Sequence, residues 1–274
     1  MQVSIITASL NAAAWIDAAC ASVASQTYQN IEHIVVDGAS DDNTAERARR
    51  YTLDVISEDD NGQSDALNKG VAMSSGEIVT WLNADDEIAG CHVVSHVVDV
   101  FRAHPSVDIV YGDYCVIDSQ GRRLFTRRQR SFAPDTLLFA TNYLVPSAFF
   151  RRQVFERVGG FSEDLGFVMD WDFWLRALRA NCRFELLPEM MWKHRFHGGS
   201  NTVGARVAMV REARTVQARH QGELGHNPNA VFLSHLRGLW CRLRDQFWKL
   251  VTRGWVDNLV YSWYMRRAGA ERQC

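Results

Sequence analysis

The stretch Glu77-Ile-Val-Thr-Trp-Leu-Asn-Ala-Asp-Asp-Glu87 determines how the rest of the chain is interpreted. Residues 78–82 form a short apolar run rich in β-formers, which predicts a buried strand. The run leads into the adjacent carboxylates Asp85 and Asp86. The carboxyl ends of parallel strands border the crevice in which open α/β sheets bind ligands. We therefore expect a site for Mg²⁺ or Mn²⁺ there, because both ions take hard oxygen ligands together with a substrate diphosphate.

A second interpretation of the same segment needs no ligand. The segment is then a polar turn from strand to helix, in which Asp85 or Asp86 caps the helix that follows. Taken alone, the segment leaves both interpretations open, and the rest of the chain favours the ligand site.

Strand and helix patterns alternate along the chain. In the first part, strands are predicted at residues 2–7, 31–36, 53–57 and 78–82, and helices at residues 12–25, 44–51, 62–75 and 91–104. This alternation predicts βαβ units and a mainly parallel sheet flanked by helices. In the second part, strands are predicted at residues 107–117, 122–128, 146–150 and 183–187, and helices at residues 134–143, 151–158, 170–181 and 203–221. We expect residues 193–202 to form a polar loop.

Composition and charge argue against several classes of protein. The formal net charge of −2 gives no basis for a nucleic-acid partner. The six cysteines lack the spacing of a zinc site and are typical of reduced thiols in an intracellular protein. We recognise no leader pattern and no apolar run long enough to span a bilayer. We therefore expect a cytoplasmic protein.

A second predicted strand also ends in a carboxylate, in the segment Asp37-Gly-Ala-Ser-Asp-Asp42. Ser40 fits turn or capping chemistry. Asp37 can serve the turn as well, or can accept a hydrogen bond from a ribose hydroxyl or a base imide, and two acidic strand ends favour the ligand role. The GxGxxG fingerprint is absent, which argues against NAD or FAD. In the next helix, Lys69 is either a ligand for phosphate or nucleotide oxygens or an ordinary exposed lysine, with Asp65 and Asn68 nearby.

Two later segments add candidate groups. In Phe167-Val-Met-Asp-Trp-Asp-Phe-Trp-Leu-Arg176, one acid can cap the helix while the other faces a substrate, and aromatic neighbours that exclude water raise a carboxylate's pKa toward that of a general base. Two acids that stabilise a helix start are the alternative. His194-Arg-Phe-His-Gly-Gly-Ser200 combines cations with glycine-freed N–H groups, which suits an anion or a metal.

These motifs, in this order, resemble the family 2 glycosyltransferases, inverting enzymes of the GT-A fold, over roughly residues 3–200. The resemblance rests on six segments: Ser4-Ile-Ile-Thr-Ala-Ser-Leu-Asn11, Ile34-Val-Val-Asp-Gly-Ala-Ser-Asp-Asp-Asn-Thr44, Asp65-Ala-Leu-Asn-Lys-Gly70, Gly76-Glu-Ile-Val-Thr-Trp-Leu-Asn-Ala-Asp-Asp86, Val158-Gly-Gly-Phe161 and Asp170-Trp-Asp-Phe-Trp-Leu-Arg176. It implies a Rossmann-like α/β sheet flanked by helices. The bacterial branch that builds surface polysaccharides, such as O-antigen or capsule, is the most similar.

The resemblance also implies roles for individual residues. Asp170 matches the base that deprotonates the acceptor, and Asp172 a following acid behind it. Asn83 to Asp86 stands where the family has its Asp-x-Asp metal motif, with Asn83 replacing the first acid. The residues expected to bind the nucleotide-sugar are Thr7, Ser9, Asn11, Asp37, Ser40, Asp65, Asn68, Lys69, Asn83, Ala84 and Asp85. The metal ligands expected are Asp85, Asp86 and, more weakly, His197, while Arg195 is placed near the diphosphate and Trp171 beside the acceptor.

The function implied is transfer of one sugar from a nucleotide-diphosphate sugar, with UDP as the expected nucleotide, to a saccharide or a polyprenyl-diphosphate-linked acceptor, with Mn²⁺ or Mg²⁺ as cofactor. The Gln-x-x-Arg-Trp motif of the processive synthases is missing, which favours single-sugar transfer. Met169 stands where the family usually has Glu before the base. A sugar-nucleotidyltransferase and a non-catalytic binding module are the alternatives. The turn at residues 8–11 argues against a nucleotidyltransferase, because it is not a Gly-rich basic loop. The presence of Asp37, Asp85, Asp86 and Asp170 argues against a non-catalytic module.

The resemblance and the composition together predict a catalytic domain at residues 1–222, with a nucleotide-sugar half at about 1–105 and an acceptor half at about 106–222. Residues 223–274 are predicted as a helical C-terminal extension. Within residues 230–267, aromatic residues alternate with arginines, which is typical of helices that lie on a membrane surface. We expect this segment to touch the cytoplasmic face of the inner membrane; packing on the catalytic domain or in a homo-oligomer is the alternative.

Overall fold

The computed structural model describes residues 1–129, 148–198 and 206–221. Within these ranges nine strands form one sheet in the order β3-β2-β1-β4-β8-β6-β9-β5, with β7 paired to β6. The strands are β1 (Val3–Ser9), β2 (Ile31–Asp37), β3 (Val55–Ser57), β4 (Ile78–Trp81), β5 (Glu87–Ile88), β6 (Ile109–Ile117), β7 (Arg123–Arg127), β8 (Ala148–Arg151) and β9 (Phe184–Arg195). The helices are α1 (Ile16–Ala24), α2 (Thr44–Ala48), α3 (Gln63–Met73), α4 (Val93–Ala103), α5 (Arg152–Val158), α6 (Met169–Arg179) and α7 (Arg206–Gln221).

The first four strands are parallel, as the alternating pattern predicts. Strand β1 lies between β2 and β4, and β2 also pairs with β3. All four residues of β4 are buried, which fits a strand covered by helices on both faces. The register sets Ser9 opposite Asp37 and Asp37 opposite Ser57, so three strands end side by side. The crevice expected at the carboxyl ends of these strands is therefore bordered by polar side chains.

The prediction of a mainly parallel sheet holds only for the first four strands, because the second half of the sheet mixes directions. Strand β8 is antiparallel to both β4 and β6, whereas β9 runs parallel to β6. The prediction of a loop at residues 193–202 is wrong for its first part, because β9 continues to Arg195. The strand predicted at residues 183–187 is the first part of β9, and Pro188 hid its continuation from the sequence pattern. This proline falls where the β6–β9 register shifts, and such an irregularity tolerates a residue that cannot donate a ladder hydrogen bond.

The short strand β5 settles the interpretation of the acidic segment. Glu87 and Ile88 pair with Lys193 and Trp192 of β9. A strand, and not a helix, therefore follows Asp86, and α4 begins only at Val93. The helix-capping interpretation of Asp85 and Asp86 is wrong, and the same pairing brings the end of β9 beside the two acids.

Alternate residues of the central strands feed two apolar cores, one on each face of the sheet. Ile6, Val79 and Phe150 belong to one core, together with side chains of α3, α6 and α7. Ile5, Ile78 and Phe149 belong to the other core, which α4 covers with Val94, Val97, Val98 and Phe101. The prediction of an α/β sheet flanked by helices is confirmed.

Two predicted regions lie outside the described residues: the helix at residues 134–143 and the extension at residues 223–274, which includes residues 230–267. Among the residues that the structure describes, no helix is long and apolar enough to cross a bilayer. The boundary at residue 222 and the division near residue 105 remain predictions.

Candidate active site

The two acids after β4 have different surroundings. The side chain of Asp86 is 1% exposed, and its oxygens accept hydrogen bonds from the Arg195 backbone N–H (2.8 Å), Asn83 Nδ2 (2.9 Å) and His194 Nδ1 (3.0 Å). Asp85 is partly exposed, and its Oδ2 lies 3.0 Å from His197 Nε2. The prediction that Asp86 binds a metal does not fit this arrangement, because donors from the chain occupy its oxygens. Asp85 remains available to a ligand.

His194 lies among three carboxylates, and the sequence patterns gave it no role of its own. Burial acts to lower the pKa of His194, but the charges of Asp86, Asp85 and Asp170 outweigh burial and raise this pKa to about 9. The imidazole is therefore cationic at neutral pH. The position of His194 depends on the pairing of β9 with β5, and no local pattern at residue 194 reports that pairing.

Asp85 and His197 are the pair that fits a divalent cation. Mg²⁺ is usually held by one or two carboxylates together with substrate phosphates and water, so one carboxylate and one imidazole beside a diphosphate suffice. The His197 ring also packs against Trp15, with the ring centroids 4.9 Å apart. Over residues 1–129, 148–198 and 206–221, no group of three or more His, Cys, Asp or Glu side chains is placed to hold a metal by itself. A cation here would need further ligands from a bound molecule or from water.

Asp37 organises the ends of the first three strands. Its side chain is 0% exposed and accepts hydrogen bonds from Ser9 Oγ (3.2 Å), Ser57 Oγ (2.8 Å) and both the backbone N–H and the hydroxyl of Ser40. The turn needs Ala39 at a φ of 54°, in the left-handed region that non-glycine residues rarely adopt. A contact between Asp37 and a nucleotide base would require one of these donors to move.

The side chains of Thr7 and Asn11, at the end of β1, also have partners within the protein. The Thr7 hydroxyl is fully buried and lies 3.0 Å from His33 Nε2, so the predicted nucleotide contact does not fit its position. Asn11 is exposed, and its side-chain oxygen accepts the Asp41 N–H at 3.0 Å. Asn11 therefore stays at the crevice edge, where it holds the loop that follows β2.

The residues predicted on α3 do not converge on one ligand. Asn68 Oδ1 accepts the Phe161 N–H (2.8 Å) and Asn68 Nδ2 donates to the Phe161 carbonyl (2.9 Å), so this amide joins the two halves of the chain and is not available to a nucleotide. Lys69 pairs with Glu58 at 3.1 Å and with Asp65 at 3.4 Å. Asp65 also accepts the Asn61 N–H at 2.9 Å. Lys69 is half-buried among acids, which is not the setting of a free phosphate ligand.

Asp170 stands in the first turn of α6 and remains partly exposed. Its Oδ1 accepts the Trp171 N–H at 2.7 Å. Burial raises the pKa of Asp170 to about 6, against the lowering effects of backbone N–H groups and of the His194 charge. This pKa lies close to the value that suits a general base near neutral pH. His194 therefore couples Asp170 electrostatically to the two acids at the end of β4.

Asp172, two residues later, is 0% exposed. Its oxygens accept from Arg176 (2.7 Å), Ser162 (2.8 Å), His220 (3.0 Å) and Arg219 (3.3 Å). Burial would raise the pKa of Asp172, but these donors outweigh burial and hold the pKa well below its usual value. Asp172 is therefore an ionised anchor inside the protein and does not face a substrate.

Arg195 and Trp171 are buried as well. Arg195 is 4% exposed; its guanidinium pairs with Glu87, bonds to the carbonyls of Asp85 (3.0 Å) and Asp118 (3.2 Å), and lies over the Trp15 ring. Trp171 is 2% exposed within the apolar core. The predicted contacts of Arg195 with a diphosphate and of Trp171 with an acceptor do not fit these positions, and both residues support the site from behind.

The fold defines an α/β protein with polar side chains at the ends of its parallel strands, and comparison with known proteins gives its family. The family model described as glycosyl transferase family 2 matches residues 4–159. A PGL/p-HBAD biosynthesis glycosyltransferase of Mycobacterium bovis is 32% identical over 180 residues, which cover 64% of this chain and 68% of the relative. An uncharacterized glycosyltransferase of Rickettsia conorii is 32% identical over 71% of this chain and 34% of its own length. The chain belongs to glycosyl transferase family 2.

Solved structures confirm the fold. S. aureus TarS, residues 1–349 in complex with UDP-GlcNAc, has a TM-score of 0.60 at 18% identity and covers 75% of this chain and 61% of its own. The mannosyltransferase PcManGT of Pyrobaculum calidifontis, in complex with GDP-Man and Mn²⁺, has a TM-score of 0.56 at 18% identity over 98% of this chain and 86% of its own. The chain spans 43% of the longer TarS structure. The predicted GT-A fold is confirmed.

Proposed function

We propose that the protein is an inverting glycosyltransferase that moves one sugar from a UDP-sugar to a saccharide or a polyprenyl-diphosphate-linked acceptor in surface polysaccharide synthesis. The observation that carries the proposal is Asp170, whose pKa of about 6 suits a base and whose carboxylate, like that of Asp85, acts on the cationic His194. TarS in complex with UDP-GlcNAc favours UDP as the nucleotide, and the mycobacterial relative named for PGL/p-HBAD biosynthesis favours a glycolipid-type acceptor.

The proposed reaction assigns one proton transfer to the protein. The Asp170 carboxylate takes the proton of the acceptor hydroxyl while the hydroxyl oxygen attacks the anomeric carbon. The bond between that carbon and the diphosphate oxygen breaks, the diphosphate leaves with the electron pair, and the configuration inverts because attack comes from the opposite face. The positive charge of His194 lies among the carboxylates of this site. A cation in this position suits stabilisation of the leaving diphosphate.

The cofactor in this proposal is Mn²⁺ or Mg²⁺. Asp85 and His197 would hold it, and it would offset the charge of the diphosphate. Asn83 and Ala84 flank this position, and Asn83 is oriented by Gln63 Nε2 at 2.8 Å and by Asp86. Peripheral contact of residues 230–267 with the inner leaflet of the membrane is part of the proposal for an acceptor anchored in lipid.

The test begins with donor binding. The thermal midpoint of the full chain is measured against UDP-, GDP- and dTDP-sugars with and without Mn²⁺, because a ligand that binds only the folded state raises the midpoint. We expect a Mn²⁺-dependent shift with a UDP-sugar that is absent in Asp85→Ala.

The donor that shifts the midpoint, carrying a radiolabelled sugar, is then incubated with membrane vesicles from the source organism. Label in the lipid fraction together with free UDP supports the proposal. Release of pyrophosphate would instead identify a sugar-nucleotidyltransferase. A midpoint shift without turnover would identify a binding module.

A further inference from the structure

The segment that leads to Asp170 is held from two sides by other parts of the chain. Residues 162–168 contain no helix or strand. On one side, α3 binds this segment through Asn68 at Phe161 and through the Ser64 hydroxyl, which donates to the Leu165 carbonyl at 3.2 Å. On the other side lies α7, beyond the residues that the family model matches. The position of Asp170 therefore depends on contacts made by both helices.

Glu212 of α7 supplies what the start of α6 lacks. The residue that precedes α6 is Val168, and no side chain caps the helix at that position. Glu212 instead accepts the two N–H groups just before it, Gly166 N–H at Oε1 (3.0 Å) and Phe167 N–H at Oε2 (2.8 Å). A negative charge at this end of a helix is favourable, because unpaired N–H groups concentrate there.

The last turn of α7 holds the other side of Asp170. His220 is 1% exposed, and its Nε2 donates to Asp172 at 3.0 Å. Its Nδ1 accepts from Arg179 at 3.2 Å, which fixes the tautomer. Arg219 joins Asp172 to Asp164, with 2.7 Å between its guanidinium and the Asp164 carboxylate. Helix α7 therefore contacts the chain both before Asp170, at residues 164–167, and after it, at Asp172.

We propose that Glu212 is a positioning residue for Asp170: by holding the Gly166 and Phe167 amides, it sets the direction from which α6 presents the base to the acceptor. This inference rests on the proposed function. Glu212 touches neither substrate nor reacting atoms, and it acts through the backbone. A displacement of a reacting group by about 1 Å can cost on the order of a hundredfold in rate, so a contact of this kind is sufficient to affect catalysis.

Glu212→Gln is the decisive variant. Glutamine has one carbonyl oxygen where the two amides need two acceptors, and its NH₂ group would face an N–H. We expect kcat to fall between about tenfold and a hundredfold while the KM for the donor changes less than about twofold. We also expect faster amide hydrogen exchange across residues 162–172. Glu212→Asp keeps two acceptor oxygens on a shorter arm, so it should fall between wild type and Glu212→Gln.

Glu32→Gln is the matched control. Glu32 also accepts a backbone N–H, from Ser75 at 2.8 Å, and the Ser4 hydroxyl at 2.6 Å. It lies near the start of β2, at the opposite end of the sheet from the crevice. We expect this variant to lose thermal stability comparably while kcat stays at the wild-type value.

Each outcome of the experiment is decisive. Lower kcat with faster exchange at residues 162–172, in Glu212→Gln but not in Glu32→Gln, supports the inference. Unchanged exchange in that segment overturns it, and so does faster exchange with wild-type kcat, which would leave Glu212 a purely structural role. Absence of transfer by the wild-type chain would instead defeat the proposed function, and the inference with it.

Discussion

Two acidic pairs, one after β4 and one at the start of α6, are built on the same plan with different partners. In each pair one acid is buried and bonded on all sides, Asp86 in the first and Asp172 in the second. The other acid of each pair, Asp85 or Asp170, remains partly exposed. The buried acid of the first pair binds β9 through His194 and Arg195, and that of the second binds α7 through Arg219 and His220.

The difference between the pairs lies in the partners of the open acid. His197 lies 3.0 Å from Asp85, an arrangement that a cation can join. Asp170 has backbone N–H groups and a nearby positive charge, and burial raises its pKa to about 6. In each pair, the buried acid is bonded to other parts of the chain and the open acid stays accessible to a ligand. Exchanging acid for amide at the two positions of one pair should therefore have opposite effects.

The largest effect is expected for Asp170→Asn. Removing a general base costs about 10²- to 10⁴-fold, so we expect kcat to fall about a thousandfold with the donor-induced thermal shift preserved. The amide avoids placing a charge in a desolvated site, so the variant should also be more stable. We expect its free energy of unfolding to exceed that of wild type by on the order of 1–3 kcal/mol. Steady-state transfer kinetics and urea denaturation measure the two quantities. Transfer within threefold of wild type would remove Asp170 from the mechanism.

Asp172→Asn should lose stability. Breaking a buried ion pair typically costs about 3–5 kcal/mol, and we expect about 3 kcal/mol because Arg219 is partly exposed to water. The folded-state pKa of Asp172 lies below its unfolded value, so its contribution is complete well above about pH 4, declines progressively below that pH and is fully lost once the pH has fallen through the folded-state pKa. Urea denaturation at pH 7 and at pH 3 checks both statements. Equal loss at the two pH values would contradict the assignment of this carboxylate.

The smallest effect is a pH dependence. The base acts in its deprotonated form, and the pKa of Asp170 is about 6. We therefore expect kcat/KM to be half-maximal at about pH 6 and to fall about tenfold for each pH unit below that value. Rates measured between pH 5 and pH 8 with saturating Mn²⁺ test this. An acid limb that stays flat down to pH 5 would mean that another group, or a substrate, carries the proton.

The sequence predicted the parallel half of the sheet and the acids at its edge, because each strand is a local apolar run that ends in polar residues. The start of α6 and its acid pair were also predicted, because the two acids and the helix that they begin are adjacent in sequence. The residues alone did not predict which acid of a pair stays open, since that depends on distant donors such as the Arg195 backbone N–H and His220. Only the resemblance placed Asp172 behind Asp170.

The missed strand segments share a physical cause: their sequences carry no local strand pattern. The sequence pattern of β9 stops at Pro188, so only residues 183–187 were predicted, and strand β5 has only two residues, too few to give a pattern. Their pairing places His194 among the acids.

Asn68 and Lys69 were expected to bind the nucleotide because they lie in a family motif. In the structure, the partner of Asn68 is Phe161, and the partners of Lys69 are Glu58 and Asp65.

The hydrogen bonds of Asn68 bear on how such chains can recombine. One side chain pairs with both the N–H and the carbonyl of Phe161, as a neighbouring strand would. Gly160 precedes it at a φ of 77°, and a Cβ there would lie 3.0 Å from Asn68 Oδ1. The two segments form one lock across nearly a hundred residues. A segment grafted from a relative in place of residues 148–198 would keep these contacts with α3 only if it carried the Gly-Gly-Phe sequence, so we expect the two motifs to occur together.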